Sequence, residues 1–366
     1  MEVVRGAQGP LRIVGGGSRG IGQVLADEAL ETGGLAGIRL YEPGALTLVA
    51  GAGTALAEVE AVLAAEGQRL AFEVPDLRGL LGRGGISTLG GVVAANASGP
   101  RRVQAGACRD SLIGVRFVDG AGNLIKSGGR VMKNVTGLDL VKLLAGSQGT
   151  LGVISEVAFK LRPMPEAAAT LVLEGLDDAA AVALMARALG SPYEVSGAAH
   201  WPGQGTFLRL EGFAGSVAYR AGRLGEMLGG ALEEGAARWP GIRDVAPFHA
   251  RTGAVWRLSV RPSQAPGIVA RAGAEAALYD WGGGLVWLLL AEGVDLRARI
   301  GPFVGHATLV RASAASAGGS GWKVAIRARV SALARTSVAW PAIAPIRARR
   351  STPSASSSQT KPPPQS

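Results

Sequence analysis

A glycine cluster that directly follows the first apolar segment is the feature that most constrains how this 366-residue chain can fold. Residues 12–30, RIVGGGSRGIGQVLADEAL, predict a short strand, a glycine loop and then a helical pattern. Successive backbone N–H groups without covering side chains can form a nest for an anion, and glycine lets the main chain approach a ligand closely. The loop therefore predicts a contact with phosphate, with a plain glycine turn as the alternative. Its residues are Gly15, Gly16, Gly17 and Ser18.

The same loop also matches the dinucleotide fingerprint G-x-G-x-x-G, through Gly15, Gly17 and Gly20. Glu42 follows a strand-like run at the distance where a Rossmann domain places its ribose-binding carboxylate. A short-chain NAD(P)-dependent dehydrogenase is therefore one alternative. That class needs a Tyr-x-x-x-Lys pair, in which the lysine lowers the tyrosine pKa. None of the four tyrosines has a lysine four positions later, so the catalytic core of the class is absent.

The distribution of charge argues against a nucleic-acid partner. The formal net charge is +10, but nine Lys or Arg residues and no Asp or Glu lie from Arg311 onward. Residues 1–310 therefore carry only about +1 and offer no broad basic surface for a polyanion. The single cysteine excludes an internal disulfide and indicates a reducing compartment.

Neither a membrane-spanning segment nor a secretory signal is predicted. No run of about eighteen apolar residues occurs, and the first residues lack the apolar core of a signal peptide. The most apolar stretch, residues 282–294, is too short to span a bilayer. It predicts a buried strand instead.

The turn chemistry after residue 110 predicts an antiparallel α+β fold. Residues 112–129, LIGVRFVDGAGNLIKSGG, read as two strands joined by a tight turn. A Rossmann domain would instead alternate strands with helices. Residues 143–163 add a glycine-rich bend and an alternating strand, and residues 46–73 predict strand, amphipathic helix and strand.

Four stretches of the first half resemble, in order and spacing, the FAD-binding domain of the vanillyl-alcohol oxidase type, also named after p-cresol methylhydroxylase (PCMH). Within that superfamily the chain is most similar to the FAD-binding subunits of glycolate oxidase, the GlcE family. Residues 254–258 and 305–312 are similar to later segments of that family. The four stretches are PLRIVGGGS, AGAGTALAEVEAVL, STLGGVVAANASGPRRVQAGACRD and GVRFVDGAGNLIKSGGRVMKNVTGLDLVKLLAGSQGTLGVISEVAFKLRP.

The resemblance implies a two-lobed FAD-binding PCMH-type domain over residues 1–165 and a smaller α+β cap domain over residues 166–312. Residues 313–366 form a basic tail of Ala, Arg, Ser and Pro, whose composition predicts disorder. A frameshift near residue 313 and a genuine disordered tail both remain open. Met1 falls inside the helix that precedes the first strand in the family, so an earlier start is expected.

The resemblance implies that FAD is held by three glycine-containing stretches. The first is the loop at residues 15–18, which would receive the cofactor phosphates. Residues 88–99 and 146–154 form the second and third, and for both a purely structural use of the small residues is the alternative. The further cofactor-binding candidates are Thr88, Leu89, Gly90, Gly91, Ser98, Gly99, Gly149, Gly152, Val153 and Ile154.

The flavin is predicted to be bound noncovalently. Many members of the superfamily attach it to a histidine near the first loop, and here no histidine precedes His200. Cys108 could form a thioether in principle, but it is predicted to be a buried structural cysteine.

Oxidation of a 2-hydroxy acid needs a base for the hydroxyl and a cation for the carboxylate. The three histidines are not spaced as metal ligands, so no metal site is predicted. His306 is the candidate base, because it lies in a family-like segment, with a structural role as the alternative. The sequence identifies no other catalytic residue.

The resemblance implies a redox subunit of a glycolate oxidase (glycolate dehydrogenase) complex, which converts glycolate to glyoxylate. The implied partners are a catalytic flavoprotein subunit, an iron–sulfur subunit and a small 2-hydroxy acid. The implied location is the cytoplasm, with attachment to the inner face of the plasma membrane through the complex. A self-sufficient FAD-dependent 2-hydroxy-acid dehydrogenase remains the alternative.

Overall fold

The computed structural model describes residues 1–21, 26, 28–129 and 138–312. The predicted basic tail lies outside the described residues. The structure is α+β, as predicted, with two large antiparallel sheets and one parallel pair of strands. The parallel doubly wound sheet of a short-chain dehydrogenase is therefore absent from the described ranges. Within the same ranges no helix has the length and apolar character that crossing a bilayer requires.

The parallel pair of strands presents the glycine loop. β1 (Leu11–Val14) ends directly before the loop and pairs with β2 (Glu28–Glu31). The predicted helical pattern is thus wrong at residues 28–30, which pair with β1 as part of a strand. Four residues are too few for a hydrophobic period to separate a strand from a helix, so the partner strand decides.

A six-stranded antiparallel sheet forms the framework of the first half. Its order is β3-β4-β8-β6-β7, and the short β5 also pairs with β8. The turn between β6 and β7 is the predicted tight turn, in which the Asp119 carboxylate accepts hydrogen bonds from two backbone N–H groups. The strands are β3 (Ile38–Glu42), β4 (Thr47–Gly51), β5 (Gln68–Leu70), β6 (Leu112–Val118), β7 (Leu124–Gly128) and β8 (Val153–Pro163).

An eight-stranded antiparallel sheet forms the framework of the second half. Its order is β12-β9-β11-β10-β14-β15-β13-β16. Every residue of β15 is buried, which confirms the prediction for the most apolar stretch. The strands are β9 (Ala167–Leu173), β10 (Gly197–Trp201), β11 (Gly205–Gly212), β12 (Ala231–Glu234), β13 (Ala254–Val260), β14 (Ala276–Asp280), β15 (Leu285–Leu290) and β16 (Gly305–Arg311).

The two faces of the eight-stranded sheet are covered differently. Helices α8 (Asp178–Leu189) and α9 (Ala214–Leu228) pack on one face. The other face packs against Leu77 and Leu80 of the first half. In the sequence, the strands of the six-stranded sheet all precede residue 165 and those of the eight-stranded sheet all follow it. The domain boundary predicted at residue 165 stays a prediction.

The remaining helices are short, and most lie in connections. α2 is the predicted amphipathic helix, and its buried side chains are Leu56, Val59 and Leu63. The remaining helices are α1 (Glu2–Gly6), α2 (Leu56–Ala65), α3 (Arg78–Leu81), α4 (Leu89–Ala95), α5 (Arg102–Ala105), α6 (Cys108–Ser111), α7 (Leu140–Leu144), α10 (Trp239–Arg243), α11 (Ala265–Ala272) and α12 (Leu296–Ile300).

Candidate flavin site

The glycine loop after β1 packs against the segment that leads into α4. The carbonyl of Gly16 accepts a hydrogen bond of 2.7 Å from the N–H of Ile86. A Cβ on Gly16 would collide with the backbone carbonyl of Ile86, and one on Gly15 would lie 2.6 Å from Thr88 Oγ1. Both positions therefore require glycine. At Gly17, where φ is +74°, the space that a Cβ would enter is empty, so this side of the loop is open to a ligand.

The loop also keeps its donors free. The N–H groups of Gly15, Gly16 and Gly17 donate no backbone hydrogen bond to another described residue. Towards the described residues these three consecutive N–H groups are unpaired, which is the arrangement that an anion nest requires.

Arg19, which is not among the predicted cofactor-binding residues, adds a positive charge beside this loop. Its guanidinium donates to Ser87 Oγ at 3.0 Å and to the Pro75 carbonyl at 2.9 Å. Its Nε is buried and has no hydrogen-bond partner within the described ranges. Burial lowers the pKa of Arg19. The neighbouring Ser18 is buried as well. Arg19 therefore places a cationic group with one unpaired N–H donor, Nε, next to the glycine loop.

The start of α4, by contrast, uses its donors internally. The N–H groups of Leu89 and Gly90 donate to backbone carbonyls in the loop after β4, and Thr88 Oγ1 accepts from the N–H of Gly91 at 3.4 Å. Leu89 is fully buried. The N–H groups at this end of the predicted second stretch are therefore already engaged. This end can support a cofactor only through close approach of its main chain.

The third predicted stretch contacts α4 and β1, the strand that leads into the glycine loop. The N–H of Gln148 donates to a carbonyl in α4, and a Cβ on Gly149 would lie 3.3 Å from the Cβ of Ile13 in β1. Gly152, at φ +148°, leaves no room for a Cβ because the Val118 carbonyl lies 2.5 Å away. The glycine loop, α4 and this stretch thus converge. The two buried apolar members of the stretch are Val153 and Ile154.

The predicted residues Ser98 and Gly99 lie beyond the opposite end of α4. Ser98 Oγ accepts a hydrogen bond of 3.0 Å from the Cys108 N–H. The N–H of Gly99 donates to Glu73, and its carbonyl accepts from Trp281 Nε1 at 3.0 Å. Cys108 is fully buried, as predicted, and burial raises the pKa of its thiol. This turn links the predicted flavin stretch to the eight-stranded sheet.

A buried ionic cluster binds the two sheets together beside this turn. Arg209 of β11 donates to both carboxylate oxygens of Glu73, and Glu211 of the same strand accepts from Arg101 and Arg69. Burial opposes ionisation of Glu211, but the bond from Arg101 and the surrounding guanidinium charges outweigh it and lower its pKa. In the apolar strand TFLRLEGF, Arg209 and Glu211 are two residues apart and so share one face of the strand. This spacing is a sequence signal for the cluster.

His306, the candidate base, lies on β16 of the eight-stranded sheet, whereas the glycine stretches belong to the first half. It is exposed and stands opposite Ser259 of β13. Two cavities, of about 160 Å³ and about 710 Å³, are not lined by any predicted cofactor residue. In the described ranges no three His, Cys, Asp or Glu side chains are grouped to hold a metal ion. The glycine stretches therefore stay the predicted cofactor site.

Comparison with known proteins agrees with this geometry. Residues 1–128 match the family described as FAD binding domain. The chain is 38% identical over 282 residues to the glycolate oxidase subunit GlcE of Escherichia coli (strain K12), a match that covers 76% of this chain and 75% of that subunit. A shorter match, 43% over 97 residues, relates it to glycolate oxidase subunit GlcD of Bacillus subtilis (strain 168) and covers 26% of this chain and 21% of that subunit.

The fold is also shared with a solved structure. An alkyldihydroxyacetonephosphate synthase superposes with a TM-score of 0.58 at 16% sequence identity, over 79% of this chain and 65% of the synthase. At this identity the likeness concerns the fold alone. The extended match to the E. coli subunit goes further, and the chain belongs to the GlcE family of FAD-linked glycolate oxidase subunits.

Proposed function

We propose that this chain is the FAD-binding redox subunit of a glycolate oxidase complex, which helps to convert glycolate to glyoxylate. The single observation that carries the proposal is the 38% identity to the E. coli subunit over three quarters of both chains. The converging glycine stretches supply a matching cofactor site. Electrons would leave through the flavin to an iron–sulfur subunit.

The geometry supports a proposal for the residues that would hold FAD. The free N–H groups of Gly15, Gly16 and Gly17 would bind phosphate, with Arg19 as a neighbouring cation. The third stretch would allow main chain to lie against the ring system. Bound FAD would supply the capacity to accept two electrons, and the protein would supply position and electrostatics.

Noncovalent attachment is part of the proposal. No histidine precedes His200, and the thiol of Cys108 is fully buried with a raised pKa. A thiol that stays protonated is a poor nucleophile towards flavin. Acid or heat precipitation of the purified protein should release yellow FAD into the supernatant, and flavin retained in the pellet would contradict noncovalent binding.

The proposed partners are a catalytic flavoprotein subunit and an iron–sulfur subunit, at the cytoplasmic side of the plasma membrane. The match to a GlcD subunit supports a relation to such a complex. The test is to express the full chain alone and together with the two neighbouring subunits. We expect glycolate-dependent dye reduction only with all three, and activity of the isolated chain with glycolate or D-lactate would favour the self-sufficient dehydrogenase.

A further inference from the structure

A buried histidine lies on the face of the eight-stranded sheet that carries α8. His200 of β10 is only 1% exposed. Its Nδ1 lies 2.9 Å from Thr206 Oγ1 of β11, and the centre of its ring lies 5.8 Å from that of Tyr279 in β14. Thr206 and Tyr279 are the cross-strand neighbours of His200. Three strands therefore contribute to one group of polar side chains beneath the helix.

The helix joins this group through Asp178, its first residue. Asp178 Oδ2 accepts a hydrogen bond of 2.6 Å from the Tyr279 hydroxyl. Its other oxygen, Oδ1, lies 3.4 Å from His200 Nε2, but Nε2 is not aligned for a hydrogen bond and has no other partner among the described residues. The pKa of Asp178 is lowered, first by His200 and, against the effect of burial, also by the Tyr279 hydroxyl. Asp178 is therefore a carboxylate at neutral pH.

The protonation state of His200 decides how many of these acceptors it can serve. Histidine is the side chain whose charge ordinarily changes between pH 5 and 8. Neutral imidazole has one N–H group, whereas imidazolium has two. Only the imidazolium can donate to Thr206 Oγ1 and to Asp178 Oδ1 at the same time. The bond to Asp178 would then be charge-assisted, and such bonds are stronger than those between neutral groups.

The charges around the ring favour a positive His200. A cavity of about 710 Å³ lies beside the ring, which forms part of its lining and can exchange protons with solvent there. The charged residues that share this lining are Glu174, Asp177 and Arg238. Arg238 is paired with Glu233, so the two carboxylates dominate the charge of the cavity.

The other titratable and charged groups on the packed elements do not face His200. Tyr279 stays protonated, because burial and the hydrogen bond that it donates raise its pKa. Asp280 of β14, whose pKa burial raises to about 7, points to the opposite face of the sheet. Arg209 and Glu211 of β11 lie on that opposite face too. Arg187, the remaining charged residue of α8, is exposed.

The helix that Asp178 fixes is packed tightly against the turn at residues 281–283. A Cβ on Gly282 would lie 2.5 Å from Leu189 Cδ1, and one on Gly283 would lie 3.1 Å from Val182 Cγ2. Both apolar side chains belong to α8. The same turn carries Trp281, whose Nε1 donates to the carbonyl of residue 99. A shift of α8 must therefore move a turn that contacts the first half.

We propose that Asp178 and His200 form a pH-sensitive latch for α8. The latch holds the start of the helix on the sheet while His200 is protonated, and it loosens when His200 gives its proton to solvent through the adjacent cavity. The Tyr279 hydroxyl keeps its bond to Asp178 in both states, so the helix loosens without detaching. The inference is independent of the proposed function, because it involves neither a cofactor nor a partner.

The test is hydrogen exchange of α8 in the purified full chain, measured by mass spectrometry at pH 5.5 and pH 7.5 and corrected for the intrinsic exchange rate. His200→Gln removes the titrating group, and Asp178→Asn removes its countercharge. Tyr279→Phe removes only the bond that both states share. His306→Gln is the matched control, since His306 is an exposed histidine of the same sheet. Each protein is also prepared with Asp280→Asn, because Asp280 titrates in the same pH range.

We expect α8 of wild type to exchange roughly tenfold more slowly at pH 5.5 than at pH 7.5, the effect of one charge-assisted hydrogen bond. His200→Gln and Asp178→Asn should both lose this difference. Tyr279→Phe should exchange faster at both pH values and keep the difference, and His306→Gln should match wild type. Equal exchange of wild type at the two pH values, or a difference that survives in His200→Gln, would overturn the latch. Loss of the difference through Asp280→Asn alone would also overturn it.

A second measurement covers the case in which His200→Gln does not fold. The chain has three histidines, so labelling their Cε1 with carbon-13 gives three NMR signals, and His249→Gln and His306→Gln assign the other two. We expect the His200 signal of wild type to titrate with the same midpoint as the exchange of α8. In Asp178→Asn that midpoint should move to lower pH, because the imidazolium has lost its countercharge. A His200 signal that stays constant between pH 5 and 8 would refute the latch.

Discussion

At the scale of single residues, the absence of a Cβ at three glycines determines the shape of the glycine loop. Gly15 and Gly16 have no room for a Cβ, because Thr88 Oγ1 and the Ile86 carbonyl occupy the space. Gly17 has that space free and a positive φ instead. The first two glycines let the loop pack closely against Ile86 and Thr88, and at the third glycine the loop surface stays uncovered.

Gly16→Asp should abolish FAD binding. The new side chain would collide with the Ile86 carbonyl and place a negative charge where phosphate is expected, at a cost of about 1.5–3 kcal/mol for each charge-assisted hydrogen bond lost. Flavin absorbance per folded protein is the measurement. Gly84→Ala is the control, since nothing lies within 4 Å of its Cβ position. A folded Gly16→Asp protein with normal flavin content would remove the loop from the site.

Asp280 should make the stability of the fold depend on pH. Its pKa is raised to about 7, first by burial and then by the charge of Glu73, against the opposing effects of the hydrogen bond from the Trp281 N–H and of the charges of Arg209 and Arg257. The unfolded chain therefore releases this proton at lower pH than the folded chain, and the stabilisation present in acid is lost as the pH rises towards and through 7. We expect the thermal midpoint of Asp280→Asn to gain on that of wild type as the pH rises from about 5 to 8. Parallel curves would refute this assignment.

At the scale of elements, strand β11 contributes to both halves of the molecule. It pairs with β9 and β10 in the sheet, and its side chains Arg209 and Glu211 enter the ionic cluster with Glu73 and Arg101. Burying such an ion pair costs desolvation free energy. Removing one partner destabilises the fold strongly, because the other partner then stays buried and charged without compensation.

Glu211→Ala should destabilise the fold by about 3–5 kcal/mol, the range for loss of one partner from a buried pair. It leaves Arg69 without its carboxylate and Arg101 with the carboxylate of Glu73 alone. Urea unfolding followed by circular dichroism measures the difference. Glu226→Gln on the exposed side of α9 is the matched control and should stay within about 0.5 kcal/mol of wild type. A small effect at Glu211 would show that the cluster is dispensable.

The elements that the sequence predicted well are those with a strong local signal. The β6–β7 hairpin has its Asp-Gly-Ala-Gly-Asn turn, and α2 has a clear apolar face. β2 was missed because four residues carry no period, and pairing with β1 decides its state. The place of Arg19 beside Ser87 and Pro75 was missed because these residues meet only after folding, from separate parts of the sequence.

At the scale of the whole molecule, one apolar core crosses the predicted domain boundary. Leu77 and Leu80 pack with Phe248, Leu278 and other residues of the second half. The ionic cluster joins the same two halves at a second place. Neither half therefore has its complete set of buried contacts without the other.

Residues 1–312 should consequently unfold in one cooperative thermal transition, and added FAD should shift the whole transition upwards, because a ligand that binds only the folded state stabilises it by mass action. Scanning calorimetry with and without FAD is the measurement. The fragment of residues 1–165, expressed alone, should expose the Leu77 and Leu80 surface and fail to give a cooperative transition. Two resolved transitions, with only one responding to FAD, would show independent domains.

The central place of β8 has a consequence for synthesis. This strand pairs with β4, β5 and β6, yet it is the last strand of its sheet to leave the ribosome. Until it emerges, β4 and β6 have no partner on that side, and pairing across so long a separation is slow. Nascent chains arrested before residue 153 should be cut readily by protease within residues 38–128, and chains arrested well beyond residue 163 should resist. Flavin binding should then stabilise the chain only after β8 has been added, since the stretch directly before β8 belongs to the proposed flavin site.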